Sequence, residues 1–287
     1  MTDTTAPNSP VPFGRALLIG LVAGLLSGSF GVGGGVLMVP AMVLLLGMDQ
    51  RRASGTSLAA IVPIAIFGVA GFAVQDQIDY PAALLLGVGA IVGAPIGARL
   101  IHAIPVARLR VAFAVLLLVT AARLLFELPD PVLSDTISLT DGVLVILVGL
   151  ASGVLAGLFG VGGGILMVPA QILILGIDPA VAKGTSLLVI IPASISGTIQ
   201  NLRMRNADVR LAAILGLSGV ATSFAGAFIA TRMSATVAGL LFAALLTVSA
   251  VRMLQPVARW RTRRVGAASA AGGAEAAGGD DQAEPST

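Results

Sequence analysis

One stretch of this chain occurs twice. Residues 20–49, GLVAGLLSGSFGVGGGVLMVPAMVLLLGMD, return as residues 149–178, GLASGVLAGLFGVGGGILMVPAQILILGID, an ungapped offset of 129 with 20 of 30 positions identical. Such a duplication calls for two copies of one structural unit. With 56% hydrophobic residues, 11% charged residues and a mean hydropathy of +1.00, that unit is a bundle of membrane helices, since soluble domains carry about 25% charged residues. In the middle of each copy FGVGGG breaks an apolar run. Irregular backbone at bilayer depth is tolerated only where protein covers it or where it lines a cavity, so the paired breaks are the best pointer to where the work is done.

The expected fold is an all-α polytopic membrane protein with two homologous four-segment repeats, nominally eight membrane segments, the first segment of each repeat broken at glycine. The expected organisation is an N-terminal tail (1–13), repeat 1 (14–126), a linker (127–141), repeat 2 (142–254) and a basic, then Ala/Gly-rich acidic tail (255–287) expected to be disordered. A crossing needs about 20 residues. The first segment of each half exceeds that, and helices are expected to restart at Val36 and Ile165.

Two topologies fit. Each long segment either crosses once, so that the halves share an orientation, or folds back as a hairpin, so that they are inverted. Basic residues concentrate on the cytoplasmic side. With Arg259, Arg261, Arg263 and Arg264 inside, single crossings leave Arg51, Arg52, Arg99, Arg108, Arg110, Lys183 and Arg232 outside, 7 of the 17 Lys and Arg. Hairpins leave only Arg123, Lys183 and Arg232 outside, 3 of 17. The inverted arrangement is favoured, with the C-terminus cytoplasmic.

Several functions are excluded. There is no cysteine, hence no thiol chemistry and no Cys-ligated metal. Basic residues fall in short clusters between apolar segments rather than on an aromatic-studded face, which argues against nucleic acid. No Lys-Ser/Thr follows the glycines, and Val36 stands where a dinucleotide fingerprint needs glycine. No nucleophile–base pair, metal cluster or cofactor motif suggests an enzyme. No carboxylate sits deep in a span, so no proton relay is visible, and the lone His102 lies at a segment end. Coupling to a proton or another ion, and the oligomeric state, are left open.

The candidate substrate-binding residues are backbone and hydroxyl groups. Gly31, Gly33, Gly34 and Gly35 recur as Gly160, Gly162, Gly163 and Gly164, each set preceding a helix start. Unpaired first-turn N–H groups and the helix dipole favour an anion there. Two such ends meeting near the midplane would make an anion site without a buried Lys or Arg. Thr56 and Ser57 recur as Thr185 and Ser186 in the expected first turn of the next helix, placed to donate to an oxyanion or to cap. Ser194, Thr198 and Asn201 form a polar stripe whose first-half counterparts are Ala65, Val69 and Phe72, with Ser196 and Gln200 on the same segment. Gly20, Gly24 and Gly28, with Gly149, Gly153 and Gly157, read as helix-packing seams. Asp49, Asp79, Asp178 and Asp208 read as helix caps, and Pro63 and Pro192 as helix kinks.

FGVGGGxLMVPA, then GTSL, then a proline and a short loop ending in Asp, all present twice, resemble the TauE/SafE family of sulfite and organosulfonate permeases. The resemblance covers most of residues 14–254. It implies about eight membrane segments in two similar halves, a bacterial inner-membrane location and a small sulfur-containing anion as cargo. It further implies that the breaks at 31–35 and 160–164 and the hydroxyls Thr56, Ser57, Thr185 and Ser186 line the path. The expected function is alternating-access transport; an anion channel or a non-transporting scaffold or sensor is the alternative.

Overall fold

The computed structural model describes residues 13–101 and 139–233, together with helical residues 111, 114–115, 118–119, 121–122, 237, 239–248, 250–251 and 254. His102, Arg108, Arg110, Arg123, most of the linker and the tail from residue 255 lie outside the described residues. Repeat 1 contributes α1 (Phe13–Phe30), α2 (Gly35–Leu45), α3 (Gln50–Ala73) and α4 (Tyr80–Leu100). Repeat 2 contributes α5 (Leu139–Phe159), α6 (Gly164–Leu175), α7 (Pro179–Arg203) and α8 (Val209–Arg232). No strand occurs among the described residues. All but α2 and α6 are long and apolar enough to cross a membrane, six helices in total.

The short helices begin at Gly35 and Gly164, one residue earlier than expected, because Gly34 and Gly163 take left-handed dihedrals and act as the N-caps. The four aspartates cap as their spacing suggested. Asp49, Asp79, Asp178 and Asp208 accept from the backbone N–H of Arg51, Ala82, Ala180 and Leu211. Because capping starts α3 at Gln50 and α7 at Pro179, Thr56 and Thr185 fall in second turns rather than first ones.

Chain directions follow from which helix ends touch. Arg15, in the first turn of α1, donates to the carbonyl of Leu45 at the end of α2 (3.2 Å), so α1 and α2 form a hairpin. α3 and α8 start together, where Arg52 pairs with Asp208 at 2.9 Å, and end together, where Thr231 donates to Gln75. α4 and α7 likewise start at Asp79 and Thr185 and end at Arg99 and Gln200. α1 runs parallel to α8, Gly20 lying on Leu215 and Gly28 on Ser223, and α4 runs parallel to α5, Leu86 lying on Gly149 and Ala94 on Gly157. α3 and α7 are antiparallel, with Gly55 against Asn201, Leu58 against Gly197, Leu187 against Gly68 and Phe72 against Gly184, a crossing centred near Pro63 and Pro192. Hence α1, α3 and α8 point one way and α4, α5 and α7 the other. Each of these helices opposes its own counterpart in the other repeat.

The seams between repeats are built from small residues. A Cβ on Gly24 would collide with the carbonyl of Gly219, and one on Gly153 with the carbonyl of Ala90. Without glycine these parallel pairs could not approach backbone to backbone, the packing that replaces hydrophobic driving force inside lipid. Outward faces carry exposed apolar side chains such as Leu18, Leu84, Val88 and Leu217. In a soluble protein patches of this extent would aggregate; in a bilayer they are the solvated surface.

Candidate functional site

The two glycine breaks pack on each other at the core. Gly31, Gly33, Gly34, Gly160, Gly162 and Gly163 all have φ between 69° and 86°. A side chain in that region costs about 1–2 kcal/mol per residue before any clash. A Cβ on Gly35 would strike the carbonyl of Gly160, and one on Gly164 the carbonyl of Gly31. Gly33 and Gly162 are looser. Their Cβ positions lie 3.2 and 3.3 Å from the methyls of Ile61 and Ile190, which therefore sit between the two breaks.

From this junction α2 and α6 set out. The carbonyl of Gly34 accepts from the N–H of Leu37 and Met38, and that of Gly163 from Leu166 and Met167. The N–H groups before those belong to the unpaired first turn of each helix, where the dipole is positive. Short apolar helices thus present two positive ends to one buried region.

The hydroxyls divide by what they touch. Thr56 and Thr185 are fully buried, and their Oγ1 atoms accept from the backbone N–H of Asp208 and Asp79 at 2.9 and 2.8 Å. Each ties its own repeat to the helix start of the other. Ser186 donates to the carbonyl of Gly31 at 2.9 Å and so braces the first break. Its counterpart Ser57 is equally buried but has no hydrogen-bond partner among the described residues, and the same holds for the buried hydroxyls of Ser194 and Thr198. Asn201 donates to the carbonyl of Gly197 and lies against Gly55. Ser196 donates to Ile91 and Gln200 accepts from Arg99, so both face α4, apart from the stripe of Ser194 and Asn201.

Two residues were missed from sequence. In the sequence Lys183 reads as a loop charge, and the two helix ends make an anion site without a buried Lys or Arg. Capping by Asp178 instead draws Lys183 into α7, where it is 3% exposed. A Cβ on Gly31 would lie 2.6 Å from the Lys183 Cα. Gln171 on α6 is fully buried and donates to the carbonyls of Met167 and Ala182, leaving its Oε1 without a partner. The available signal was the repeat itself: Lys183 stands where repeat 1 has Ser54, and Gln171 where it has Met42.

Among the described residues, six long apolar helices and two breaks meeting between them define a multi-pass membrane protein. The model of the Sulfite exporter TauE/SafE family matches residues 2–124 and 145–279, and the chain belongs to that family. It is similar to the probable membrane transporter protein YdhB of Bacillus subtilis, 32% identical over 91 residues, which cover 32% of this chain and 37% of that one. It also matches the probable membrane transporter protein YunE of Bacillus subtilis, 31% identical over 111 residues, 39% of this chain and 41% of the relative. A probable membrane transporter protein of Xylella fastidiosa is 34% identical over 82 residues, 29% and 31% of the two chains. The chain thus aligns with less than half the length of each of these curated relatives.

Proposed function

We propose that the protein moves a small oxyanion, sulfite or an organosulfonate, across the bacterial inner membrane by alternating access. In this reading two inverted repeats of four segments rock about the crossing of α3 and α7, and the anion binds where α2 and α6 begin. The observation that carries it is the contact of the two left-handed glycine breaks, each opening a short helix toward the same buried region. Positive helix ends and backbone N–H groups bind oxyanions without specialised side chains, and transporters commonly place such half-helices at the midplane. The sulfur chemistry of the cargo comes from the family description, which names a sulfite exporter.

The unpartnered hydroxyls support the same reading. A buried donor left unsatisfied costs about 1–3 kcal/mol, and an oxyanion or water would relieve that cost at Ser57, Ser194 and Thr198, as at the like hydroxyls of Ser27 and Ser152 on α1 and α5. Serine-to-alanine changes at Ser57 and Ser194 are expected to leave thermal stability within about 0.5 kcal/mol or raise it, while weakening substrate affinity several-fold. Unchanged flux kinetics would remove these hydroxyls from the path. Bulky residues at Gly34 or Gly163 are a poorer test, because a Cβ there lies 2.5 or 2.6 Å from the carbonyl oxygen of Ala23 or Ser152 and would strain the break itself.

Uptake of labelled sulfite into proteoliposomes, with sulfonates, sulfate and chloride as competitors, tests the function directly. Saturable flux with counterflow, inhibited by sulfite or a sulfonate, is expected. Flux without saturation or counterflow would mean a channel. No flux of any anion from folded protein would mean a scaffold or sensor.

A further inference from the structure

Lys183 is the only lysine in the chain; the other 16 basic residues are arginines. It is also the one Lys or Arg that is buried among the described residues, at 3% exposure. No hydrogen bond or ion pair to its ammonium occurs among them. Asp178 acts on it electrostatically, but that carboxylate already accepts the Ala180 N–H as the cap of α7. Enclosing a lysine in a helix packing face is costly, and nothing in the packing of α7 needs one, because repeat 1 makes the equivalent contact with Ser54.

Its position is informative. Lys183 leaves α7 beside Gly31, whose carbonyl accepts from Ser186 and packs on Gly164, the first residue of α6. Helix α7 is also the polar one of its pair. Lys183, Ser194, Thr198 and Asn201 replace Ser54, Ala65, Val69 and Phe72, and on α6 Gln171 replaces Met42. The pseudo-symmetric junction is therefore electrically one-sided.

We infer that Lys183 supplies the fixed positive charge that binds the transported oxyanion, holding it on the second-repeat side of the junction beside the Gly31 break. This rests on the transport reading above and names the residue that would set its preference for anions. The two-fold-related helix ends give a general affinity for negative charge; one lysine turns it into a site with a defined side and a compact point charge. The ligand class is a small oxyanion that can accept from an ammonium and from backbone N–H groups together.

A sole lysine makes the test clean. Full-length protein carrying ε-13C-lysine gives a single lysine signal, which can be followed while sulfite, methanesulfonate or chloride is titrated into the detergent-solubilised protein. Saturating sulfite is expected to shift that signal with the same half-saturation as flux. Lys183→Met is expected to weaken sulfite binding by about tenfold to a hundredfold, the loss typical of a hydrogen bond to a charged group, whereas Lys183→Arg should stay within a few-fold. Moving the charge with the double change Ser54→Lys and Lys183→Ser should restore much of the binding. A signal unmoved by saturating sulfite in a wild-type protein that transports sulfite would overturn this inference and leave the transport reading intact. Lys183→Met binding as tightly as wild type would do the same. If wild-type protein neither binds nor moves any anion, both readings fall together. Should Lys183→Met not fold, the signal from wild-type protein decides alone.

Discussion

At the scale of single residues, the threonines, which the sequence offers either to an oxyanion or to a helix cap, make a bond that serves the fold. Thr56 and Thr185 accept the N–H of Asp208 and Asp79 across the repeat boundary, in places buried from solvent and from lipid. Replacing either with valine keeps the shape but leaves a half-buried N–H unpaired, so each change should lower unfolding stability by about 1 kcal/mol, seen as a fall in melting temperature of the purified protein. The neighbouring ion pair of Arg52 and Asp208, its arginine side chain 57% exposed, should matter no more, about 1 kcal/mol or below. Lost transport with unchanged stability in the valine variants would show the hydroxyls acting on cargo instead. The capping aspartates and glycine breaks were legible because each needs only local chemistry: a short acceptor before a helix, or a positive φ. Lys183 was not legible, since a lysine four residues past a Pro-marked helix start reads as a loop charge until the tertiary packing encloses it.

At the scale of helices, the fold depends on two parallel seams, α1 with α8 and α4 with α5. On α4 the glycines separate cleanly. A Cβ on Gly89, Gly93 or Gly97 would collide with backbone of α5, whereas Gly87 has nothing within 4 Å of that position. Gly89→Ala and Gly93→Ala are therefore expected to push the helices apart and sharply reduce the yield of folded protein. Gly87→Ala should be neutral or stabilising by up to about 1 kcal/mol through helix propensity. Size-exclusion profiles and melting curves of the three variants would show this; equal behaviour would mean that the seam yields more readily than its geometry implies. Sequence identified one side of each seam through the spacing of Gly20, Gly24 and Gly28 and of their copies. It did not identify the partner, because the mating of α1 with α8 and of α5 with α4 joins residues about 200 and 60 positions apart, and small-residue spacing carries no address.

At the scale of the whole molecule, opposed helix directions divide charge between two ends. Where α1, α3 and α8 begin and α4 and α7 finish lie Arg15, Arg51, Arg52, Arg99, Arg203, Arg205 and Arg210, against the two acids Asp49 and Asp208. The opposite end holds Asp76, Asp79, Asp178 and Arg232, with Lys183 withdrawn into the core. Either hairpins or single crossings could be written from the repeat, and the hydrogen bond from Arg15 to Leu45 brings the start of α1 to the end of α2, as a hairpin does. Which end faces the cytoplasm is a separate matter that the arginines bear on, since basic residues close to membrane helices are retained inside. The arginine-rich end should therefore be cytoplasmic and the loop 75–79 external. The absence of native cysteine lets this be read with single cysteines in intact cells. Gln77→Cys is expected to react with a membrane-impermeant maleimide added outside, and Arg205→Cys only after permeabilisation. The reverse pattern would turn the molecule over in the membrane while leaving its fold untouched. Reaction of both from outside would be incompatible with these two loops lying at opposite ends of α3 and α7, and would require the antiparallel crossing at Pro63 and Pro192 to be wrong.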